Sequence, residues 1–259
     1  MKKILLLSLS LILLLSFSKP TLKKSDTPLK NPNSVVIGID DTFVPMGFKD
    51  EKGEIIGFDI DLAKEAFKRL NLNPVFQPID WSMKESELTN KNIDFIWNGY
   101  SVTEEREKKV SFTKPYLKNR QVIVTLKSSN INTLKDLKGK SLTTQDGSSS
   151  LNILFEREDI TKNLKNGEPV LFDSFNDCFM DLESKRSDAL LCDEVLAKYY
   201  ISKRNPERFK ILEEDLGEES YSVGLRKNSP LLEPLNEALD NMKEDGTLEK
   251  IYKKWFGNF

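Results

Sequence analysis

The chain has 259 residues, enough for one large domain or two modest ones, and its 38% hydrophobic and 31% charged content is an ordinary globular balance. Lys and Arg number 39 against 41 Asp and Glu, a formal charge of −2, which argues against general affinity for nucleic acid or anionic membrane. Histidine is absent and cysteines number 2, which excludes Ser-His-Asp and Cys-His nucleophiles, His-ligated metals and a disulfide framework. Met1-Lys2-Lys3 is a positive start, and Ile4 to Leu15 is an apolar run broken only by Ser8 and Ser10. With the small residues of Ser16-Phe17-Ser18, it predicts a signal peptide over residues 1–18, cleaved near Ser18. The run is shorter than the ~20 residues a bilayer span needs, and no cysteine follows it to take a lipid. Lys19 to Asn33, with Pro20, Pro28 and Pro32, is expected to be a flexible tether to an exported fold.

Ser34 to Asp40 is β-branched and apolar and reads as a buried strand. Asp59 fits a helix N-cap, and Ile60, Ala63, Phe67 and Leu70 behind it follow helical spacing. A strand over Asn73 to Ile79, a short helix over Lys84 to Asn90 and a strand over Ile93 to Trp97 complete β-α-β-α-β, which argues for a parallel sheet with helices on both faces. A second alternating unit follows. Strands are predicted over Gln121 to Leu126, Lys140 to Thr144, Val170 to Phe172 and Ala189 to Cys192. Between them lie a helical turn over Leu134 to Lys138 and helices over Ser148 to Glu156 and Phe175 to Lys185. Leu231 to Met242 and Thr247 to Phe256, split by Asp245-Gly246, read as amphipathic closing helices.

Six segments then carry a resemblance. Gly57-Phe58-Asp59-Ile60-Asp61-Leu62-Ala63, Ser101-Val102-Thr103-Glu104-Glu105-Arg106 and Phe112-Thr113-Lys114-Pro115-Tyr116 resemble, in order, three signatures of family 3 extracellular solute-binding proteins. Leu134 to Lys140 is similar to the family's entry to its second lobe, and Asp245-Gly246-Thr247 with Lys254-Trp255-Phe256-Gly257 to its C-terminal signature. The resemblance covers Val35 to Gly257. It implies an α/β, two-lobed, periplasmic-binding-protein-like type II fold whose lobes are joined by a two-strand hinge. The expected parts are lobe one over 34–120 and 218–259 and lobe two over 121–217. The implied activity is non-enzymatic: a free polar amino acid (cystine, glutamine or a basic one) is captured between closing lobes and delivered to an ABC permease and its ATPase. A monomer without cofactor or metal is implied. The competing reading is a cyclohexadienyl or arogenate dehydratase on the same fold.

The resemblance also assigns site residues. A free amino acid brings a carboxylate and an ammonium, and each must be paired when it leaves water. Arg106 matches the family's carboxylate-binding arginine, supported by Ser101, with Asn98 and Gly99 at the backbone approach. Asp193 matches the ammonium acceptor; on its own it also suits an N-cap for the helix from Glu194 to Tyr200. Phe43 and Trp81 match aromatics that cover the ligand's aliphatic stem. Asp40 falls where some members contact the ligand side chain, and equally suits a turn. Gly147-Ser148-Ser149 opens a helix whose N–H groups suit an anion, and Gln145 is placed at the side-chain pocket. Trp97 reads as core. Cys178 and Cys192 read as two buried thiols, with a disulfide as the alternative in an oxidising compartment.

Overall fold

The first β-branched run pairs on both edges inside a five-stranded sheet in the computed structural model, which describes residues 33–204 and 206–257. The predicted signal segment, and the tether up to residue 32, lie outside the described residues. Strand β1 (Ser34–Ile39) leads through β2 (Thr42–Phe43), β3 (Gly47–Lys49) and β4 (Ile55–Ile56) into helix α1 (Phe58–Arg69). There follow β5 (Asn73–Pro78), α2 (Lys84–Thr89), β6 (Phe95–Ile96), α3 (Glu104–Lys109) and β7 (Ser111–Phe112). The long β8 (Leu117–Leu126) then leads to β9 (Leu142–Gln145), α4 (Ser149–Glu156), α5 (Glu158–Thr161), β10 (Val170–Phe172), α6 (Phe175–Glu183), β11 (Ala189–Asp193) and α7 (Glu194–Lys203). The 13-residue β12 (Phe209–Tyr221) runs back to β13 (Gly224–Leu225), α8 (Leu232–Glu244) and α9 (Thr247–Phe256).

Lobe one is built on the sheet β5-β1-β6-β13-β7 and lobe two on β10-β9-β11-β8-β12. Phe58, Ala63 and Phe67 of α1 with Leu235 and Leu239 of α8 fill one face of the first sheet. Leu88, Ile93, Ile96 and Tyr100 fill the other. In lobe two, Ile123, Leu142, Leu154 and Leu191 form the core beneath α4 and α5, and Phe175, Phe179 and Leu182 of α6 cover the opposite face. The two alternating units are therefore as expected, but neither sheet is all parallel. β13 runs antiparallel to β6 and β7, and β8 runs antiparallel to β11 and β12. The reason is the crossover: β8 leaves lobe one and β12 returns beside it, so each sheet receives strands of opposite direction.

Strands β8 and β12 form the connection itself. They pair antiparallel from Leu117↔Tyr221 to Arg120↔Glu218 and again from Val124↔Ile211. At the lobe-one end, Tyr116 N–H donates to the Tyr221 carbonyl and Ser222 N–H to that of Tyr100, each at 3.0 Å. Asp59 is not the N-cap of α1; Gly57 holds that position. Asp59 is a fully buried acceptor whose Oδ2 takes Gly99 N–H at 2.7 Å and the Tyr116 hydroxyl at 2.8 Å. Burial pushes its carboxyl up to about 7 against those hydrogen bonds. Cys178 and Cys192 are both buried free thiols.

Candidate functional site

A buried cleft between the lobes is lined by Phe43, Trp81, Asn98, Gly99 and Arg106 from lobe one and by Gln145, Ser148, Ser149, Phe175 and Asp193 from lobe two. Of the sequence-assigned residues, Asp40 and Ser101 join it through direct hydrogen bonds to Gln145 and Ser149. Arg106 from lobe one and Asp193 from lobe two are the ionisable groups in its lining. Arg106 sits in α3, whose N-cap Thr103 accepts its N–H at 3.2 Å and so sets the turn that aims the guanidinium inward. Its Nη1 donates to the Ser101 carbonyl at 2.9 Å, its Nη2 to the Gly147 carbonyl of lobe two at 3.2 Å, and its Cζ lies 4.6 Å above the Tyr100 ring. Arg106 is 3% exposed, so the cation stands on neutral partners and Glu85, whose Oε1 is 3.8 Å from Nε.

Asp193 ends β11 on the opposite side. Its Oδ1 accepts from the Tyr221 hydroxyl at 2.6 Å, Asn119 Nδ2 at 2.7 Å and Gln121 Nε2 at 3.1 Å. Burial first, then the neighbouring Glu219 charge, raises its carboxyl well above the usual carboxylate range. It occupies the N-cap position of α7 but its side chain caps nothing. Asn119 Oδ1 does that work, accepting Val195 N–H at 3.2 Å, which leaves Asp193 aimed at the cleft.

Asp40 forms the turn that its position suggested and also reaches across to lobe two. Oδ1 accepts from Thr42 N–H at 2.9 Å and the Thr42 hydroxyl at 2.6 Å, forming a turn, while Oδ2 accepts from Gln145 Nε2 of lobe two at 2.7 Å. Burial raises this carboxyl too. Gln145 Oε1 and both amide atoms of Asn98 are buried with no hydrogen-bond partner among the described residues. Buried polar atoms of this kind demand polar partners. Ser148 caps α4 through Leu151 N–H at 3.1 Å, and Ser149 Oγ lies 3.2 Å from Ser101 Oγ across the cleft. Phe43 and Trp81 are 5% and 7% exposed, and Phe43 packs on Phe175 with ring centroids 5.8 Å apart. Trp97 is fully buried core.

The lobes meet in a closed arrangement, and part of what holds them has no counterpart in the sequence motifs. Lys84, 2% exposed at the start of α2, donates to the Trp81 carbonyl at 3.0 Å and across the cleft to the Gly147 carbonyl at 2.7 Å. Burial, then the nearby Arg106 charge, lowers its ammonium to about 7, while Glu85 at 3.4 Å opposes that fall. Gly147 has φ +66, and a Cβ there would lie 2.6 Å from Ser82 Cα of lobe one. Phe175, Lys84, Tyr221, Asn119 and Gln121 escaped the sequence reading. Each reads there as an ordinary core, helix-surface or strand residue, and only the tertiary fold turns it to the cleft.

Comparison with known proteins places this geometry in context. Residues 35–258 match the model of the bacterial extracellular solute-binding proteins, family 3. The chain is 35% identical over 260 residues to the histidine-binding periplasmic protein of Salmonella typhimurium, covering 96% of each. It is 30% identical over 234 residues to the L-cystine-binding protein TcyJ of Escherichia coli K12, covering 88% of this chain and 85% of that one. Among solved structures, an ABC uptake transporter substrate-binding protein from Streptococcus pneumoniae with bound histidine superposes with a TM-score of 0.85 at 42% identity, covering 87% of this chain and 93% of that one. Among the described residues no helix is long and apolar enough to cross a membrane. The two hinged lobes, the buried charges facing one another across the cleft and the match over almost the whole described chain have one origin: this chain belongs to the bacterial extracellular solute-binding proteins, family 3.

Proposed function

We propose that this protein captures a free polar amino acid between its lobes for an ABC importer. The observation that carries the reading is the opposition of Arg106 on lobe one and Asp193 on lobe two, both buried in one cleft. Arg106 is the planar, permanently charged fork that a ligand carboxylate needs, with Ser101 and Ser149 beside it. Asp193 accepts the α-ammonium. Phe43, Trp81 and Phe175 cover the aliphatic stem, and Gly99 gives the backbone approach. Asp40, Asn98 and Gln145 receive the side chain, and Ser148 orders the helix start beneath it. At the side-chain end Asp40 and the unpartnered Gln145 Oε1 are acceptors, which favours a ligand with a second cation or a strong hydrogen-bond donor, so a basic amino acid fits best. Glutamine and cystine satisfy the same polar end less fully. The ligand stabilises the closed state because neither lobe satisfies both of its charges alone.

The names of the relatives support capture over the dehydratase alternative. Export with cleavage near Ser18, delivery to a permease and its ATPase, and a monomeric state complete the proposal. The test is a thermal-shift screen of protein unfolded and refolded to strip ligand, with L-histidine, L-arginine, L-lysine, L-glutamine and L-cystine. A ligand at 100 times its Kd adds about 2.7 kcal/mol, a rise of about 5–10 °C for a chain this size. Arg106→Ala should abolish that rise while keeping the unliganded melting profile. A shift that survives this substitution refutes the assignment of the carboxylate site.

A further inference from the structure

Behind Asp193 stands a second carboxylate, outside the lining of the buried cleft. Glu219, on β12, lies half-buried against the same two amides that hold Asp193. Asn119 Nδ2 donates to Asp193 at 2.7 Å and to Glu219 Oε1 at 2.5 Å. Gln121 Nε2 donates to Asp193 at 3.1 Å and to Glu219 Oε1 at 2.8 Å. An amide has two N–H groups, so each can bridge both acids, but it brings no positive charge. Cations nearby are engaged elsewhere. Arg120 of β8 is held by Glu194 at 2.7 Å and Asp215 at 3.0 Å, and Lys198 of α7 pairs with Glu194 at 2.9 Å. Arg106, across the cleft, rests on two carbonyls. Behind Asp193, Cys192 is a neutral buried thiol, and the Tyr221 hydroxyl is a donor. On its other side Glu219 faces a cleft lined by Glu104 and Glu105 of α3, Glu156 of α4 and Glu218.

We propose that Glu219 is a positioning residue of the ammonium end, acting through Asp193, so that capture of a ligand ammonium expels a proton. The inference rests on Asp193 being the ammonium partner. Two carboxylates that share donors, with no cation paired to either among the described residues, do not both ionise readily, and Asp193, the more deeply buried, is the one that keeps its proton. An arriving ammonium supplies the missing cation. The Asp193 O–H bond breaks, its electron pair stays on the carboxylate to meet the ammonium, and the proton leaves to solvent through the open cleft beside Glu219. Affinity therefore rises with pH through the range in which Asp193 of the free protein gives up its proton, and levels off above it.

Calorimetric titration tests this, with L-arginine, L-glutamine, L-histidine and L-cystine at pH 6 and 8, each in two buffers of different ionisation enthalpy. Comparing wild type with variant for one ligand cancels the ligand's own titration. Wild type should release a large fraction of a proton at pH 6 and less at pH 8. Glu219→Gln, which keeps the hydrogen-bonding shape, should release less than half as much at pH 6, bind about tenfold more weakly at pH 8 and show a flatter pH profile. Glu219→Asp should restore the release. An unchanged proton count in Glu219→Gln, with binding still dependent on Asp193, overturns this proposal alone. Binding indifferent to Asp193→Asn, or absent for every ligand, overturns the capture reading and this proposal with it.

Discussion

Gly147→Ala isolates lobe closure from lobe stability. Gly147 belongs to lobe two, yet a Cβ at this position would stand 2.6 Å from Ser82 Cα and 3.2 Å from both Ser82 N and Cβ, all in lobe one. That is roughly 1 Å inside ordinary carbon contact. Ser82 has little room to yield, because its N–H is tied to Asp80 Oδ1 at 2.9 Å. The clash exists only when the lobes meet. Overpacking of this kind costs about 1–3 kcal/mol, which weakens ligand binding about 5- to 150-fold through the closed state. A second penalty, about 1 kcal/mol for alanine in left-handed backbone, applies open or closed and cancels from binding. Gly139→Ala supplies the control: φ is +72 there, but a Cβ would have nothing within 4 Å. Both variants should melt a few degrees early without ligand. Only Gly147→Ala should lose affinity by calorimetry and fail to contract on ligand addition in small-angle X-ray scattering. Affinity within twofold of the Gly139→Ala protein would refute the closure argument.

Lys84→Met removes the other cross-cleft bond to Gly147 while keeping the aliphatic stem, and should weaken ligand binding about tenfold; equal affinity would mean that the bond adds nothing to closure. Asp59→Asn keeps an acceptor for Gly99 and Tyr116 but no titrating acid. Because the folded carboxyl titrates near 7 rather than near its usual 3.8, the native state holds more protons than the unfolded one between those values, so wild-type stability falls as pH rises from 4 to 7. The asparagine variant should lose up to about 4 kcal/mol of that decline, read as a flatter melting-temperature profile from pH 4.5 to 8; an unchanged slope would place the titration elsewhere.

The periodicity of Ile60, Ala63 and Phe67 and the β-branched Val35 to Ile39 made lobe one's centre readable. β12 was not readable: Phe-Lys-Ile-Leu-Glu-Glu-Asp-Leu-Gly-Glu-Glu-Ser-Tyr has no period of two, since its register shifts twice against β8 and only three of its 13 residues are buried. Without it, the β-α-β-α-β pattern of the first unit points to a parallel sheet. Two-residue strands such as β7 and β13 carry no local signal at all. In the site, Asp40, Arg106 and Asp193 stood out because motifs or strand ends mark them. Glu219 lay inside an acidic run that reads as solvated surface, and Lys84 looked like any charged residue opening a short helix. What turned them inward is packing between segments more than 60 residues apart in sequence (Lys84 on Gly147, Asn119 on Glu219).

The position of β13 bears on the order in which the chain assembles. It is the fourth strand of lobe one's sheet, wedged between β6 and β7, yet it lies beyond all of lobe two. Lobe two is one continuous stretch and can gather from near neighbours. Lobe one must wait for Gly224 and Leu225, with α8 and α9 behind them, to close more than 100 residues of intervening chain. A nascent chain that has not yet reached these residues leaves β6 with a bare edge. The half that is first in sequence is thus the last to be finished.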